Sequence, residues 1–333
     1  MGRTLLPRRG QKMTYTTTGW PTKSGKPPRH YYGIYPHSVL NTTTPQWRNR
    51  RRQLRESGIA GNDILGREHV RLYHGEEHQK INGGKSSFDP VLADLMYQWY
   101  APHGGHVVDP FAGGITRGAL AVHHDMTYEG VDLSQQQVKA NRSQAAKMRL
   151  NGVTWDVGDA VDWRPQHTAD MILTCPPYHN LERYSDDPRD LSVMKWEEHL
   201  NAIEAVLTWC FDVLKDDRFL VWVTGDVRTK NSGSRLLPER TALIAQGVGF
   251  SITNTHNLVN SVGTRYLLAR KQWTMGRVAL RIDQRVIVMA KGDCHSAAEM
   301  INDAYIAHHM NEGTSDPGSD KPQKYAKPPA RKE

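Results

Sequence analysis

Cysteine and phenylalanine are scarce: three and five, respectively, in 333 residues. Cys175, Cys210 and Cys294 lie far apart and are odd in number, which argues against a disulfide framework and against a cysteine-built structural zinc site. No apolar run approaches the length needed to cross a bilayer, and the opening "MGRTLLPRRGQKMT" lacks the apolar stretch of a secretory signal, so no membrane partner is expected and the expected location is cytoplasmic. Two phosphate-binding signatures are missing as well. "INGGKSS" puts Gln79 where the first glycine of a P-loop would stand, and "DPFAGGITRG" lacks the G-x-G-x-x-G spacing of a dinucleotide fingerprint. ATP hydrolysis and nicotinamide-dependent redox chemistry are therefore disfavoured.

What the chain does carry is positive charge, unevenly placed. The net charge is +8, and residues 1–87 alone hold about eleven more basic than acidic side chains. The densest stretch, "PQWRNRRRQLRES", sets Arg48, Arg50, Arg51, Arg52 and Arg55 beside Trp47, a mix suited to phosphate contact with occasional stacking. A solvated arginine-rich helix face accounts for it equally well. The tail from about Glu312 is rich in Pro, Lys, Ser and Asp, has little to bury, and is expected to be disordered.

From Phe88 onward, short apolar or β-branched runs alternate with helical periodicity, the pattern of a mostly parallel sheet covered by helices. "SSFDPVLADLMYQWYA" repeats apolar residues at Val91, Leu92, Leu95, Met96 and Trp99 behind a capping residue and Pro90, hence a helix. Strands are expected at "GHVVDPF", "TYEGVDL", "VTWDVGD", "DMILTC", "RFLVWVTGD", "FSITNTHNLV" and "QRVIVMAKG", with helices between most of them. In such sheets ligands bind at the carboxyl ends of the strands. The polar and glycine-rich punctuation falls there: Asp109 to Gly114, then Asp132, Asp159, and Cys175 to Tyr178. Gly113 and Gly114 permit a tight turn, and Asp132 is placed to accept hydrogen bonds from ribose hydroxyls. Pro176 and Pro177 cannot continue a ladder, so the strand ending at Cys175 hands over to a stiff loop carrying one large ring, Tyr178, as a platform for a planar ligand. A strand-ending turn with a packing tyrosine is the plainer alternative.

"DPFAGG", the acidic strand end at Asp132, "GDA" around Asp159 and then "CPPY" together resemble the S-adenosylmethionine-dependent DNA methyltransferases that modify exocyclic amines, adenine N6 or cytosine N4. "FDPVLADL" and "YSDDPRDLS" are similar to the bacterial and bacteriophage branch of that family. The resemblance spans roughly residues 86–295. It implies an α/β fold: a Rossmann-like, mostly parallel twisted sheet of the class I methyltransferase type, with a terminal antiparallel strand and here a basic N-terminal extension. The implied organisation is a basic region at 1–85, a methyltransferase domain at 86–295 with a target-recognition loop at about 255–283, and a C-terminal helix and tail at 296–333.

The same resemblance implies S-adenosyl-L-methionine as cofactor, double-stranded DNA as partner, a bacterial or phage-infected cell as setting, and admits a restriction enzyme as a second partner. By position, Phe111, Gly113 and Gly114 would line the methionine and ribose, Asp132 would bind the ribose hydroxyls and Asp159 would face the adenine. Asp109 opens the cofactor loop, and Phe88 and Asp89 would sit near the methionine end. Cys175, Pro176, Pro177 and Tyr178 would form the catalytic loop, with the Pro176 carbonyl and, weakly, the side chain at 175 accepting amine hydrogens while Tyr178 stacks on a flipped base. Such chemistry needs no metal. Arg48, Arg50, Arg51 and Arg52 would meet phosphates, and Arg270 and Trp273, in "NSVGTRYLLARKQWTMGRVALRID", would reach bases. Two departures stand out: Ile115 replaces the family's last glycine, and position 175 is usually Asp, Asn or Ser. A nucleophilic Cys175 is disfavoured because the thiol has no adjacent base except His179. The same loop could serve RNA or a protein glutamine, and a catalytically silent DNA-binding protein could retain the fold.

Overall fold

The computed structural model describes residues 34–59, 71–72, 88–229, 233–263 and 266–301. The "INGGKSS" stretch, the first arginines of the chain and the tail from Glu312 lie outside these residues.

The elements run in chain order as follows. An edge strand β1 (Val39–Asn41) and helix α1 (Pro45–Glu56) precede the short strand β2 (Arg71–Leu72). Then come α2 (Pro90–Tyr100), β3 (His106–Asp109), α3 (Thr116–His123), β4 (Thr127–Asp132), α4 (Gln135–Met148), β5 (Val153–Val157) and β6 (Ala169–Thr174). After β7 (Glu182–Arg183) follow α5 (Trp196–Val213), β8 (Leu214–Thr224), α6 (Leu237–Val248), β9 (Ser251–Val259), α7 (Tyr266–Gly276), β10 (Asp283–Lys291) and a last helix at 294–301.

Eight strands form one sheet in the order β1-β9-β10-β8-β6-β3-β4-β5. All neighbours pair in parallel except β10, which runs antiparallel to both β8 and β9. This is the Rossmann-like, mostly parallel sheet that the resemblance implies. The antiparallel strand is the last among the described residues but lies inside the sheet, because β9 and β1 continue beyond it.

Side-chain alternation explains why the sheet is covered on both faces. Val107, Met171, Leu173, Phe219, Val221, Val223, Val286 and Val288 belong to a core shared with α1 to α4, whereas Val108, Ile172, Leu220, Trp222, Ile287 and Met289 belong to one shared with α5 and α6. Helix starts follow local chemistry. The Asp89 carboxylate accepts from Val91 N ahead of Pro90, and the Ser134 hydroxyl accepts from Gln137 N, so both helices begin at a capping side chain.

Within the 1–85 stretch, residues 34–59 are joined to this sheet, whereas β2 pairs antiparallel with β7 in a separate two-stranded sheet. β1 pairs with β9 in parallel, and α1 buries Trp47, Arg50 and Leu54 on one side. Arg50 donates to both oxygens of Asp94 on α2 at 2.7 and 2.8 Å. The arginine-rich run is therefore an amphipathic helix whose inward stripe includes one of its arginines. Among the described residues, no helix is long and apolar enough to cross a membrane.

Candidate functional site

The loop after β3 is built around a buried carboxylate. Asp109 accepts from Phe111 N at 3.1 Å, Arg117 Nε at 2.6 Å, the Tyr128 hydroxyl at 2.8 Å and the Thr174 hydroxyl at 2.8 Å. These partners come from its own loop, from α3, from β4 and from the end of β6, so one side chain ties three neighbouring strands and a helix together. Arg117 passes the tie onward by donating to the carbonyls of Phe111 and Ala112 at 2.5 and 3.1 Å, with its guanidinium 4.5 Å above the Phe88 ring. Burial opposes the charge on Arg117, but the Asp109 carboxylate outweighs it and raises its pKa above the ordinary value. Arg117 was not singled out from the sequence. A basic residue inside a helix of small residues carries no periodic signal, and its use depends on where Asp109 ends up.

Gly113 adopts φ +54°, a conformation costly for other residues, and its N–H donates to Asp132 Oδ2 at 2.9 Å. Asp132 Oδ1 accepts from Ser134 N at 2.9 Å, so the end of β4 holds both the glycine turn and the start of α4. Each carboxylate oxygen can accept a second hydrogen bond.

Between these strand ends lies a cleft of about 280 Å³. Phe111, Val131, Asp132, Asp159, Pro177 and Leu191 are on its wall. The loop after β3, the acidic ends of β4 and β5, and the proline loop after β6 thus face one space, as the sequence reading required. Asp159 uses Oδ1 to accept from Val161 N at 2.9 Å. Phe88, Asp89 and Asp109 are absent from the wall. The cofactor contact expected of Asp109 is corrected to support, because its buried carboxylate ties the loop; Phe88 lies under Arg117, and Asp89 accepts from Val91 N at 2.9 Å, from Trp47 Nε1 at 3.1 Å and from the Arg51 guanidinium. Gly113 and Gly114 also lie off the wall, Gly113 acting through its bond to Asp132.

A further part of the wall comes from Tyr184, Ser185, Asp187, Arg189 and Asp190, in the "YSDDPRDLS" stretch. No residue there was named from the sequence as a cleft residue, because its turns bring it back over the strand ends only in three dimensions. Asp190 orders it, accepting from the Ser185 hydroxyl and from Ser192 N at 2.8 Å each. The cleft's charge is lopsided. Asp132, Asp159, Asp187 and Asp190 face a single basic side chain, Arg189, which is itself bonded to Asp187 at 2.7 Å. A phosphate would be repelled here and a cation would be welcome.

In the proline loop, the Cys175 sulfur lies 3.2 Å from the Tyr178 hydroxyl. Burial pushes the Cys175 thiol up from its ordinary value, which keeps it protonated and unreactive at neutral pH. His179 does not face it: His179 Nε2 meets the Met194 carbonyl at 3.1 Å. The Tyr178 ring packs on Gly225 after β8, where a Cβ would come within 2.9 Å of the ring. Gly225 is a second residue that sequence reasoning missed, since only the contact between two distant strand ends shows why a side chain is excluded. The Pro176 carbonyl takes no backbone partner in the loops and turns of the described residues.

The arginines divide sharply. Arg48 and Arg52 are exposed on α1, Arg51 is half-buried against Asp89, and Arg50 is buried against Asp94. The phosphate contact expected of Arg50 is therefore corrected to a structural ion pair. Arg270 and the half-exposed Trp273 lie on α7, a helix with no buried residue, inserted between β9 and β10 where a loop was expected.

No protein-family model and no curated protein matches this chain. Solved structures with a similar arrangement include TrmN from Thermus thermophilus, at 19% identity and a TM-score of 0.43, covering 62% of this chain and half of that one. A methyltransferase from Pyrococcus furiosus has 13% identity and a TM-score of 0.45, covering 74% of this chain and 98% of that one. The putative RNA methyltransferase PH1948 from Pyrococcus horikoshii has 11% identity and a TM-score of 0.45, covering 74% of this chain and 100% of that one.

Proposed function

We propose that the chain is an S-adenosylmethionine-dependent methyltransferase acting on the exocyclic amine of a flipped base in DNA, adenine N6 or cytosine N4. The observation that carries this reading is the meeting of the "DPFAGG" and "CPPY" loops on one acidic cleft, through Phe111 and Pro177.

The cleft's chemistry fits the cofactor. Asp132 presents a carboxylate on the wall to ribose hydroxyls, Asp159 offers a carboxylate to an adenine amine, and Val131, Ala160 and Leu191 supply apolar wall. The acidic excess suits a ligand bearing a sulfonium and an ammonium and disfavours nucleotides bearing phosphates. When bound, S-adenosylmethionine supplies an electrophilic methyl group on sulfur.

The protein's own contribution is geometric. An exocyclic aromatic amine is weakly nucleophilic because its lone pair is shared with the ring. The Pro176 carbonyl, held by a rigid loop, would accept one amine hydrogen and draw the nitrogen toward a form whose lone pair is available. Tyr178, backed by Gly225 and tied to Cys175, would present a fixed ring on which the base stacks, repaying part of what extrusion from the duplex costs. With the Cys175 thiol turned to Tyr178, its contribution is to position that ring. Orientation then supplies most of the acceleration.

Exposed Arg48 and Arg52 are the candidates for phosphate contact, and Arg270 and Trp273 on α7 those for base contact. The reading is tested by titrating the purified chain calorimetrically with S-adenosylmethionine and by mapping modified bases in DNA from cells that express it. Asp132→Ala should weaken cofactor binding by about 1.5–3 kcal/mol, the scale of hydrogen bonds to a charged group. Absence of heat with the unaltered chain would overturn the cofactor assignment. Methylation of RNA or of protein with unmodified DNA would overturn the substrate.

A further inference from the structure

We infer that His106, Glu129 and His167 form a transition-metal site, with zinc the ion proposed, at a position separate from the cleft. His106 opens β3, Glu129 lies within β4 and His167 lies two residues before the start of β6. The cleft, by contrast, lies at the carboxyl ends of the strands.

The first observation is an unmet charge. Glu129 is 4% exposed; its Oε1 accepts from Gln166 N at 2.8 Å, but its Oε2 is buried and makes no hydrogen bond among the described residues. A carboxylate oxygen left bare in the interior is costly unless a cation meets it. His106 Nε2 is also buried without a hydrogen bond and points to the same place, 3.4 Å from Glu129 Oε2.

The second observation is the spacing of donors. His167 Nδ1 lies 3.7 Å from Glu129 Oε2, and the three ligand atoms are all within 4.8 Å of one another. Two ligands of a tetrahedral zinc, at bond lengths of about 2.0–2.1 Å, stand about 3.3 Å apart. The 3.4 and 3.7 Å separations from Glu129 Oε2 need only small adjustments to match. His106 Nδ1 lies 2.8 Å from the Thr127 hydroxyl, which orients the ring and can take the Nδ1 proton, leaving the Nε2 lone pair for a metal. Two imidazoles and a carboxylate suit zinc better than calcium or magnesium, which prefer all-oxygen shells. His167 is mostly exposed, so water can complete the coordination.

The rival arrangement is a protonated His106 paired with Glu129. It accounts for the 3.4 Å approach but not for the lack of a formed hydrogen bond, nor for the convergence of His167 on the same oxygen. A metal would clasp the end of the loop between β5 and β6 to the sheet. That loop begins beside Asp159, so the clasp would steady one wall of the cleft without touching its contents.

The test uses the untagged full chain, stripped with a chelator and titrated with cobalt(II) as a spectroscopic probe and then with zinc. One cobalt per chain should bind with visible ligand-field bands, zinc should displace it, and zinc should raise the melting temperature. His167→Ala, at an exposed position, and Glu129→Gln should each weaken cobalt binding at least about tenfold, the lower range seen when metal-site support is lost. Both should remove the zinc-dependent rise in melting temperature, whereas His295→Ala, at an exposed position far along the chain, should change neither. The site is refuted if the stripped chain binds no cobalt, or if His167→Ala binds it as tightly as the unaltered chain. Because Glu129→Gln could fold poorly, the surface variant decides alone.

Discussion

Replacing Arg50 by methionine should damage folding rather than DNA binding. Arg50 and Asp94 are 1% and 0% exposed, and two hydrogen bonds of 2.7 and 2.8 Å join them. Removing Arg50 leaves the buried Asp94 carboxylate with only His124 Nε2 at 2.9 Å and Gln98 Nε2 at 3.5 Å, at a cost toward the lower end of the about 3–5 kcal/mol for breaking a buried pair. Against a domain stability of about 5–15 kcal/mol, that is a large fraction. With an m-value of about 3 kcal/mol/M, the urea midpoint should fall by about 1–2 M. Replacing both partners by apolar residues, Arg50→Met with Asp94→Leu, should recover most of the loss, since no lone charge remains.

The pH dependence follows from the same pair. Burial raises the Asp94 carboxyl, but Arg50 and His124 together outweigh burial and hold it well below the usual carboxylate range. A depressed carboxylate contributes stability above its unfolded value, about 3.9, and loses it as pH falls toward the folded value. The unaltered chain should therefore weaken below about pH 4, and the Arg50→Met variant should lose less over that interval. The assay is urea unfolding at several pH values beside DNA binding against salt. The reasoning fails if Arg50→Met costs under about 1 kcal/mol while lowering the salt slope by about one unit, as loss of a phosphate contact would.

Charge removal at Arg48 and Arg52, both exposed, should weaken binding to all DNA alike and flatten its salt dependence, leaving the map of modified sites unchanged. Substitutions at Arg270 or Trp273 should instead alter which sequences are methylated, which sequencing of modified DNA reads directly. Tyr178→Ala should abolish most methyl transfer, removing a stack worth about 1–3 kcal/mol, while calorimetry shows cofactor affinity within a few-fold; Tyr178→Phe should keep the activity. Gly225→Ala should push a methyl within 2.9 Å of the Tyr178 ring, and overpacking of this kind costs about 1–3 kcal/mol. Turnover should fall with little change in cofactor binding, and full turnover in this variant would refute the packed platform.

Most of the order of strands and helices from Phe88 onward was legible because those segments declare themselves by period and punctuation. So were the four strand ends that hold the loops, because Gly113, Asp132, Asp159 and the two prolines are local signals. Phe111, Asp132, Asp159 and Pro177 do share a wall. The helical nature of residues 266–276 was not legible: α7 buries no residue, and Arg270 and Lys271 interrupt its apolar positions. Nor could the sequence show that the last described strand lies inside the sheet, since pairing partners are chosen between segments far apart in the chain.

The deepest division concerns charged side chains. An arginine at position 50 or 52 reads alike in sequence, yet α1 turns one toward Asp94 and the other toward solvent, and only the helix phase against α2 decides which. Asp109 reads as a ligand contact because it opens the loop, yet four donors from neighbouring elements enclose it. By itself, then, the sequence determined most of the elements and the strand ends expected to take a ligand, because periodicity and turn chemistry act over a few residues. Which carboxylates and arginines face that ligand, and which hold the scaffold, was decided by tertiary structure, because a buried charge is committed by the partner it meets and that partner comes from elsewhere in the chain.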